Sequence, residues 1–364
     1  MNQVKPSPDF FEPNQRLTIK KFFDKSDVNR ILIQGIDQLG GLMMSTPFFR
    51  ELRRAFPNVY IVNLVGPLTY EVMQNCPYVD EVWLFDKKQS FAIAKKVKAF
   101  QFDLTFLPSG TFRTALIAFL GRVKHRVGYD NDGTKHLLTI QLHLEFHSRY
   151  RPENIFDLLR AIGISPHDIY QREAWTSNKN REYAQNWKKQ NHNNNYKLLG
   201  FNPFSTDPKR RWKDEYWKQL LISLKSYQIE PIMLVAPKEV VKGKQLLIEW
   251  GLGEIKVEGH SVVNTLAMLD YFDYIVGVDS GFVHMALAVN KPHVIAFFNV
   301  LPPESTFPVH DKKHQALIAE NVSCAPCYLY KFKDICPNGI VCMKELQPER
   351  VLGVINEFEK GDLL

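Results

Sequence analysis

The stretch "ILIQGIDQLGGLMMSTPFFRELR", residues 31–53, contains the pattern that decides the fold. A short β-branched run at residues 31–33 is followed by a glycine-containing loop and then by an amphipathic segment. This order of strand, loop and helix is typical of a parallel α/β sheet that presents a ligand-binding loop at the carboxyl end of a strand. The loop contains one acid, Asp37, and two adjacent glycines, Gly40 and Gly41.

The same alternation of apolar runs and amphipathic segments recurs in two series. The first continues through the predicted strands "VYIVNLVG", "VDEVWLF", "FDLTFLP" and "HRVGYDN", and the second begins at "KLLGFNPF". Strands alternating with helices predict an α/β protein with two doubly wound parallel sheets. We expect a first domain over residues 1–175 (with 1–28 as a proline-interrupted arm), a polar linker over 176–197, a second domain over 198–345 and a final helix within 346–364.

Composition restricts the class of protein. Of 364 residues, 45% are hydrophobic and 23% are charged, as in soluble globular proteins. No apolar run approaches the roughly 20 residues that cross a bilayer, and the first residues lack the apolar segment of a signal peptide, so we expect a cytoplasmic protein. The net charge of +7, taken as spread along the chain, favours an anionic substrate or a membrane-surface partner over nucleic acid.

The stretch "VGVDSGFVHMALAVNKP" places polar residues between a buried-looking strand and a helix. Asp279, Ser280 and Gly281 lie at the turn, and His284 lies one helical turn further. Backbone N–H groups at a helix start, together with a serine hydroxyl, suit an anion, and Asp279 could accept hydrogen bonds from sugar hydroxyls. The alternative is that Asp279 or Ser280 only caps the helix.

The stretch "FNPFSTDPKRRWKDEYW" also leaves a predicted strand. Its hydroxyls, Ser205 and Thr206, come close in sequence to Lys209, Arg210 and Arg211. Arginine can bind phosphate oxygens bidentately, so this loop suits a diphosphate. A solvated basic turn is the alternative for an isolated run, but two anion-suited loops in one domain favour a binding site.

These two loops resemble the donor-binding half of family 9 glycosyltransferases, the ADP-heptose:lipopolysaccharide heptosyltransferases. "RELRRAFP", "NCPYVDEVW", "FRTALIAFLGRVKHRVGYD" and "IFDLLRAIGI" follow in the family's order, so that the resemblance covers the chain from about residue 31 onward. It implies a GT-B fold, two Rossmann-like domains facing across a cleft, with the last helix packing back on the first domain. Its first loop implies that Gly40 and Gly41 belong to the ligand site.

The resemblance also implies residue roles. Ser205, Thr206 and Arg210 would hold the donor diphosphate, with Arg210 where the family usually carries lysine. Asp279, Ser280, Gly281 and His284 would contact the sugar and phosphates, and Lys238, in the imperfect match "VAPKE", would lie near the nucleoside.

Inversion at the anomeric carbon, which the family performs, needs a base for the acceptor hydroxyl and stabilisation of the leaving diphosphate. The family usually carries the base as an aspartate directly after the loop glycine, where this chain has Gly41. Asp37 is the nearest carboxylate and our catalytic candidate. Three alternatives stay open: another residue is the base, the chain binds donor without efficient transfer, or Asp37 only bonds backbone amides of its loop.

Four of the five cysteines crowd into "CAPCYLYKFKDICPNGIVC": Cys324, Cys327, Cys336 and Cys342. Four thiolates can complete a tetrahedral shell for structural zinc or iron, although reduced thiols or disulfides would leave the same pattern. No catalytic metal is expected. Cys76 stands alone and is expected to pack.

The sequence thus predicts an inverting glycosyltransferase that uses a nucleotide sugar, with ADP-heptose as the expected donor and an anionic lipopolysaccharide-core glycolipid at the inner membrane surface as the expected acceptor. The alternatives are a donor-binding protein with little or no turnover, or a transferase with another donor or a protein acceptor. An oxidoreductase is disfavoured because no G-x-G-x-x-G follows a predicted strand.

Overall fold

The computed structural model describes residues 17–19, 23–130, 133–143, 150–191, 195–327 and 336–361. The chain divides into two compact units: Met1–Gln38 with Ser45–Gln171, and Leu39–Met44 with Arg172–Leu364. The first residues of one helix are therefore grouped with the second unit. Among the described residues, no helix is both long and apolar enough to cross a bilayer.

The first unit is built on a sheet of seven strands. They are β1 (Leu17–Ile19), β2 (Arg30–Gln34), β3 (Tyr60–Val65), β4 (Glu81–Leu84), β5 (Leu104–Leu107), β6 (His125–Tyr129) and β7 (Ile140–Leu142). The order is β1-β7-β6-β5-β2-β3-β4, and all pairs are parallel except β1 with β7. The helices are α1 (Leu39–Ala55), α2 (Pro67–Met73), α3 (Ser90–Phe100), α4 (Phe112–Leu120) and α5 (Glu153–Arg160).

The apolar run at residues 31–33 lies in β2, an interior strand of this sheet between β5 and β3. Ile31, Leu32 and Ile33 in β2 are fully buried, because helices cover both faces of a parallel sheet. Most of the predicted arm lies outside the described residues, but its part Leu17–Ile19 pairs with β7 and so belongs to the sheet.

The second unit contains a sheet of six parallel strands. They are β8 (Lys197–Asn202), β9 (Ile229–Val235), β10 (Lys256–Gly259), β11 (Tyr274–Val278), β12 (His293–Phe298) and β13 (Gln315–Ile318). The helices are α6 (Asn178–Asn191), α7 (Asp214–Ser223), α8 (Val240–Glu249), α9 (Val262–Leu269), α10 (Gly281–Val289), α11 (Val341–Glu345) and α12 (Pro348–Lys360). The order β10-β9-β8-β11-β12-β13 is the Rossmann order, which reverses direction between β8 and β11.

Two boundaries differ from the sequence prediction. The polar segment predicted as a linker forms α6, which packs on α9 and stacks Trp187 on Phe272, so it is part of the second unit. The final helix α12 contacts α7 and β12 of the second unit, whereas we predicted that it packs on the first domain. Its amphipathic pattern predicts one buried face but does not identify the partner.

Candidate functional site

The two anion-suited loops leave neighbouring strands at the point where the strand order reverses. Strand β8 pairs directly with β11, with Asn202 opposite Gly277, so both loops start side by side at the carboxyl edge of the sheet. This switch point is where doubly wound folds bind ligands, because the chain departs in opposite directions and leaves a crevice. The structure therefore brings together the loops that carry Arg210 and Asp279.

Arg210 links these loops directly. Its Nη1 donates to the backbone carbonyl of Asp279 at 2.6 Å and lies 3.0 Å from the Asp279 Oδ2. The buried Nε of Arg210 has no hydrogen-bond partner among the described residues, and the nearest carboxylate oxygen, of Asp207, is 3.9 Å away. A buried guanidinium N–H without an acceptor is costly, and an anionic oxygen placed there would satisfy it.

His284 lies on the other side of the Asp279 carboxylate. Its Nε2 is 3.2 Å from Asp279 Oδ1, and its Nδ1 is 3.3 Å from Nη1 of Arg172. Because a guanidinium only donates, Nδ1 accepts and the ring proton is assigned to Nε2. Burial, together with the charges of Arg172 and Arg210, lowers the pKa of His284, so the ring is neutral at physiological pH.

Arg172 is a site residue that the sequence reading missed. It is buried, and its Nη2 donates to the backbone carbonyl of Thr306 at 2.6 Å. Arginine is rarely buried unless its charge has partners, and here the partners come from elements far apart in the chain. No local motif marks Arg172, since its neighbours in "YQREA" show no pattern of a site.

Glycines allow the first turn of α1 to approach the start of α10. A Cβ at Gly40 would lie 2.9 Å from Cδ2 of the His284 ring, and a Cβ at Gly281 would lie 3.6 Å from the backbone N of Gly40. Neither helix begins with a capping side-chain hydrogen bond, so Ser280 does not cap α10. The carboxylate of Asp279 is instead used by Arg210 and His284. Two helix N-termini in one place favour a bound anion.

The remaining predicted donor contacts are placed as follows. Ser205 Oγ accepts from the backbone N of Asp207 at 3.2 Å, and Thr206 is exposed on the same loop. Lys238 is exposed in the turn after β9. These positions lie on carboxyl-end loops of β8 and β9, which are adjacent in the sheet.

Asp37 follows the carboxyl end of β2 in the first unit. Its Oδ1 accepts from the backbone N of Gly66 at 2.8 Å, as a structural loop acid would. The carboxylate is half-buried, and its other oxygen makes no hydrogen bond to a described residue. The neighbouring Gly35 has φ +92°, and a Cβ there would lie 2.2 Å from Ser109 Oγ, so the loops after β2 and β5 touch at the switch point of this sheet.

The chain was compared with known proteins. The sequence profile of glycosyltransferase family 9 (heptosyltransferase) matches residues 90–333, which is more than half of the chain. The chain belongs to glycosyltransferase family 9. The lipooligosaccharide heptosyltransferase 2 of Haemophilus ducreyi is 22% identical over 312 residues, covering 77% of this chain and 86% of that protein.

Two solved structures share the fold. The ADP-heptose lipopolysaccharide heptosyltransferase II of Escherichia coli aligns with a TM-score of 0.74 and 18% identity, covering 92% of this chain and 100% of that one. The iron-containing dodecameric glycosyltransferase TibC of enterotoxigenic E. coli aligns with a TM-score of 0.55 and 12% identity, covering 92% of this chain and 79% of that one. The predicted fold class is confirmed, and this family 9 member is a glycosyltransferase.

The four clustered cysteines of this family 9 chain form no disulfide among the described residues. Burial raises the pKa of the Cys327 and Cys342 thiols, and the thiols of Cys324 and Cys336 raise both further. Among the described residues, however, no three cysteine, histidine or carboxylate side chains are arranged to hold a metal ion. The metal centre on these cysteines therefore stays a prediction, and residues 328–335 between them lie outside the described part.

Asn299 connects the cysteines to the Arg210 loop. Its side-chain nitrogen donates to the backbone carbonyl of Lys209 at 2.6 Å and lies 3.5 Å from the Cys342 Sγ. Its backbone carbonyl accepts from the backbone N of Cys327 at 3.0 Å. The cysteine segment thus supports the turn that carries Arg210.

Proposed function

We propose that this chain is an inverting glycosyltransferase that transfers a heptose from ADP-heptose to a hydroxyl of a lipopolysaccharide-core acceptor. The observation that supports it best is the group formed by Arg210, Asp279 and His284 at the start of α10, at the switch point of the second sheet. The names of the relatives, heptosyltransferases of lipooligosaccharide and lipopolysaccharide, support the choice of sugar and acceptor.

The diphosphate of the donor is the leaving group, and its negative charge rises as the bond to the anomeric carbon breaks. The Nε of Arg210, which has no hydrogen-bond partner among the described residues, and the N–H groups in the first turn of α10, which no described side chain caps, are placed to bind that charge. They are fixed before the reaction, so they need no rearrangement when the charge develops. A divalent metal is not needed for this step.

His284 serves as a neutral donor rather than as an acid. Its Nε2 proton is shared with Asp279, and its pKa is low, so it adds no positive charge of its own. Asp279 orients the side chains of Arg210 and His284 through its contacts with both, and it can accept a hydrogen bond from a sugar hydroxyl. The group therefore recognises a sugar diphosphate by fixed geometry.

The acceptor oxygen attacks the anomeric carbon from the side opposite the diphosphate, and its proton passes to a base. We propose the Asp37 carboxylate as that base, through the oxygen that does not bind Gly66. The new C–O bond forms as the old one breaks, the electron pair leaves with the diphosphate, and the configuration inverts. Asp37 thereby takes the role of the aspartate that the family usually carries at the position of Gly41.

The four cysteines would supply an all-sulfur ligand set for one structural zinc or iron ion. Burial and the neighbouring thiols raise the pKa of Cys327 and Cys342, and a soft cation offsets this by binding the thiolates. The iron content stated for TibC supports iron as one candidate. Such an ion would brace the Arg210 turn through Asn299 and take no part in the reaction.

The test is a thermal-shift titration of the purified protein with nucleotide sugars that differ in base and sugar, followed by a transfer assay with the best ligand. A ligand that binds only the folded chain raises its melting temperature with concentration. We expect the largest shift with ADP-linked heptose and product formation with a lipopolysaccharide-core acceptor. A larger shift with another nucleotide, or ADP-heptose binding without any transfer, would contradict the proposed reaction.

A further inference from the structure

The positive charge of the chain is concentrated in one segment. Residues 87–126 contain nine lysines and arginines and one acid, Asp103, a net charge of +8, whereas the whole chain has +7. The rest of the chain therefore sums to −1. Our expectation that the charge is spread along the chain is wrong.

Part of this segment lines a groove in the first unit. The groove, of about 570 Å³, lies where the ends of α3 and α4 meet the start of β6. Among its lining residues are four basic side chains and two exposed apolar ones, namely Lys98, Arg122, Lys124, Arg126, Phe119 and Leu120. No acidic side chain lines the groove in the part of the chain that the structure describes.

Two of the four cations are not engaged by the protein. Arg126 donates to the carbonyl of Leu137, and Lys124 lies 3.6 Å from an Asp27 carboxylate oxygen. Lys98 and Arg122 are exposed and make no ion pair or hydrogen bond with a described side chain. The single acid of the segment does not neutralise them, because Asp103 accepts from the backbone N of Asn29 and Arg30.

Exposed apolar side chains lie among these cations. Phe119 is 46% exposed and Leu120 is 40% exposed, and the guanidinium of Arg126 lies 5.6 Å from the Phe119 ring centroid. Cations around an exposed aromatic and a leucine suit the interface of an anionic bilayer, where headgroup phosphates meet the charges and acyl chains receive the apolar groups.

We propose that this groove docks the protein on an anionic lipid bilayer. Headgroup phosphates bind Lys98 and Arg122, and Phe119 and Leu120 enter the interface. The groove lies at the amino end of β6, whereas the Asp37 loop follows the carboxyl end of the parallel strand β2, so a bilayer at the groove leaves that loop open. This rests on the proposed function only in that it gives a reason for a lipid-linked acceptor to be met at a membrane.

The backbone conformation at Arg122 allows its side chain to be removed by substitution with glycine. Arg122 has φ +55°, a left-handed conformation that costs a non-glycine residue about 1 kcal/mol and that glycine adopts freely. Arg122→Gly removes a charge and relieves backbone strain, so the variant is expected to stay folded, and its melting temperature is measured beside that of wild type to check this. Lys98→Ala, in the last turn of α3, keeps a strong helix former.

The experiment is co-sedimentation of the full chain with vesicles of phosphatidylglycerol and phosphatidylcholine, or of phosphatidylcholine alone, at two salt concentrations. We expect binding to the anionic vesicles only, weaker at high salt, and reduced roughly 25-fold in Lys98→Ala/Arg122→Gly, at about fivefold per charge. The matched control is Lys189→Ala/Lys244→Ala, which removes two exposed charges from the second unit and is expected to bind like wild type.

The proposal would be overturned by an equal loss of vesicle binding in both double variants or by equal binding to neutral vesicles. Tighter binding to a single-stranded RNA of the same charge would also overturn it. Transfer to a water-soluble core acceptor is expected to be unchanged in Lys98→Ala/Arg122→Gly. If transfer fails in every protein but vesicle binding follows the expected pattern, only the proposed reaction is wrong.

Discussion

The Nδ1 of His284 lies 3.3 Å from a terminal nitrogen of Arg172, and this contact fixes the state of the histidine. A guanidinium at that distance requires Nδ1 to accept, which leaves the proton on Nε2, facing Asp279. The arginine also opposes a second proton on the ring. A neutral, oriented imidazole in the donor site therefore depends on a residue outside the two predicted loops.

The stability of the protein is expected to fall in acid because of this histidine. The pKa of His284 in the folded chain is below its ordinary value near 6.5, so the unfolded chain binds a proton there first. The contribution of His284 to the free energy of unfolding is constant above pH 6.5 and falls by about 1.4 kcal/mol per pH unit below it, until the folded-state pKa is reached. His293 and His314, whose pKa values burial also lowers, add to this loss. Denaturant titrations between pH 7.5 and 4.5 measure this slope.

The variant Arg172→Gln tests whether the charge of Arg172 lowers the pKa of His284. Removing the charge is expected to raise the pKa of His284 and to make the acid loss shallower, with His284 still hydrogen-bonded to Asp279. The pKa of His314, lowered to about 4 chiefly by burial, also depends on the charge of Arg172, so both proteins are compared in a His314→Gln background, where the difference between them reports on His284. Identical slopes in the two proteins would mean that Arg172 does not act on His284.

Arg210→Ala is expected to weaken donor binding by a factor of roughly 10 to 100, because a charge-assisted hydrogen bond contributes about 1.5–3 kcal/mol. Arg211→Ala is the matched control, since Arg211 is exposed and binds only the Ser205 carbonyl among its described contacts. Calorimetric titration of both variants with the nucleotide sugar measures the effect. Equal affinities in the two variants would remove Arg210 from the site.

Asp37→Asn is expected to lower the transfer rate 100-fold or more while keeping donor affinity, because a general base contributes about 10²–10⁴-fold. The asparagine oxygen can still accept from Gly66, so the loop is retained. Asp103→Asn is the control, as Asp103 also binds backbone amides in the first unit. Full turnover in Asp37→Asn would leave Asp37 as a structural loop acid only.

The cysteine segment is expected to hold about one zinc or iron ion per chain when the protein is purified without chelators. Cys327→Ser/Cys342→Ser should lose the metal and lower the melting temperature, and it should weaken donor binding through Asn299 and the Arg210 turn. Cys76→Ser, at a buried cysteine outside the cluster, is the control. Elemental analysis measures the metal content. A wild-type protein that contains no metal and melts at the same temperature as Cys327→Ser/Cys342→Ser would contradict the prediction.

Much of the fold and of the donor loops follows from local sequence. The alternation that starts at residues 31–33 predicts both sheets, because each strand and helix is recognised within a short window. Arg210 and Asp279 were predictable because Asp279 directly follows β11, Arg210 lies on the loop that leaves β8, and adjacent parallel strands end at the same edge.

Contacts between distant residues were not predictable in this way. Arg172 and His284 are 112 positions apart, and nothing in either neighbourhood indicates the other. The placement of α12 failed for the same reason, since its apolar face fits either unit. A contact of Trp212 helps to place α12 on the second unit. The Nε1 of Trp212 donates to the carbonyl of Leu346 at 2.6 Å, just before α12, and both residues belong to the second unit.

A crystal structure of the protein with an intact ADP-sugar tests most directly whether the second unit holds a diphosphate between Arg210 and the start of α10. We expect a phosphate oxygen within hydrogen-bond distance of Arg210 Nε and of backbone N–H groups in the first turn of α10, with His284 still bonded to Asp279. A diphosphate bound elsewhere, with Arg210 and α10 unchanged and making no contact to it, would contradict the proposed site.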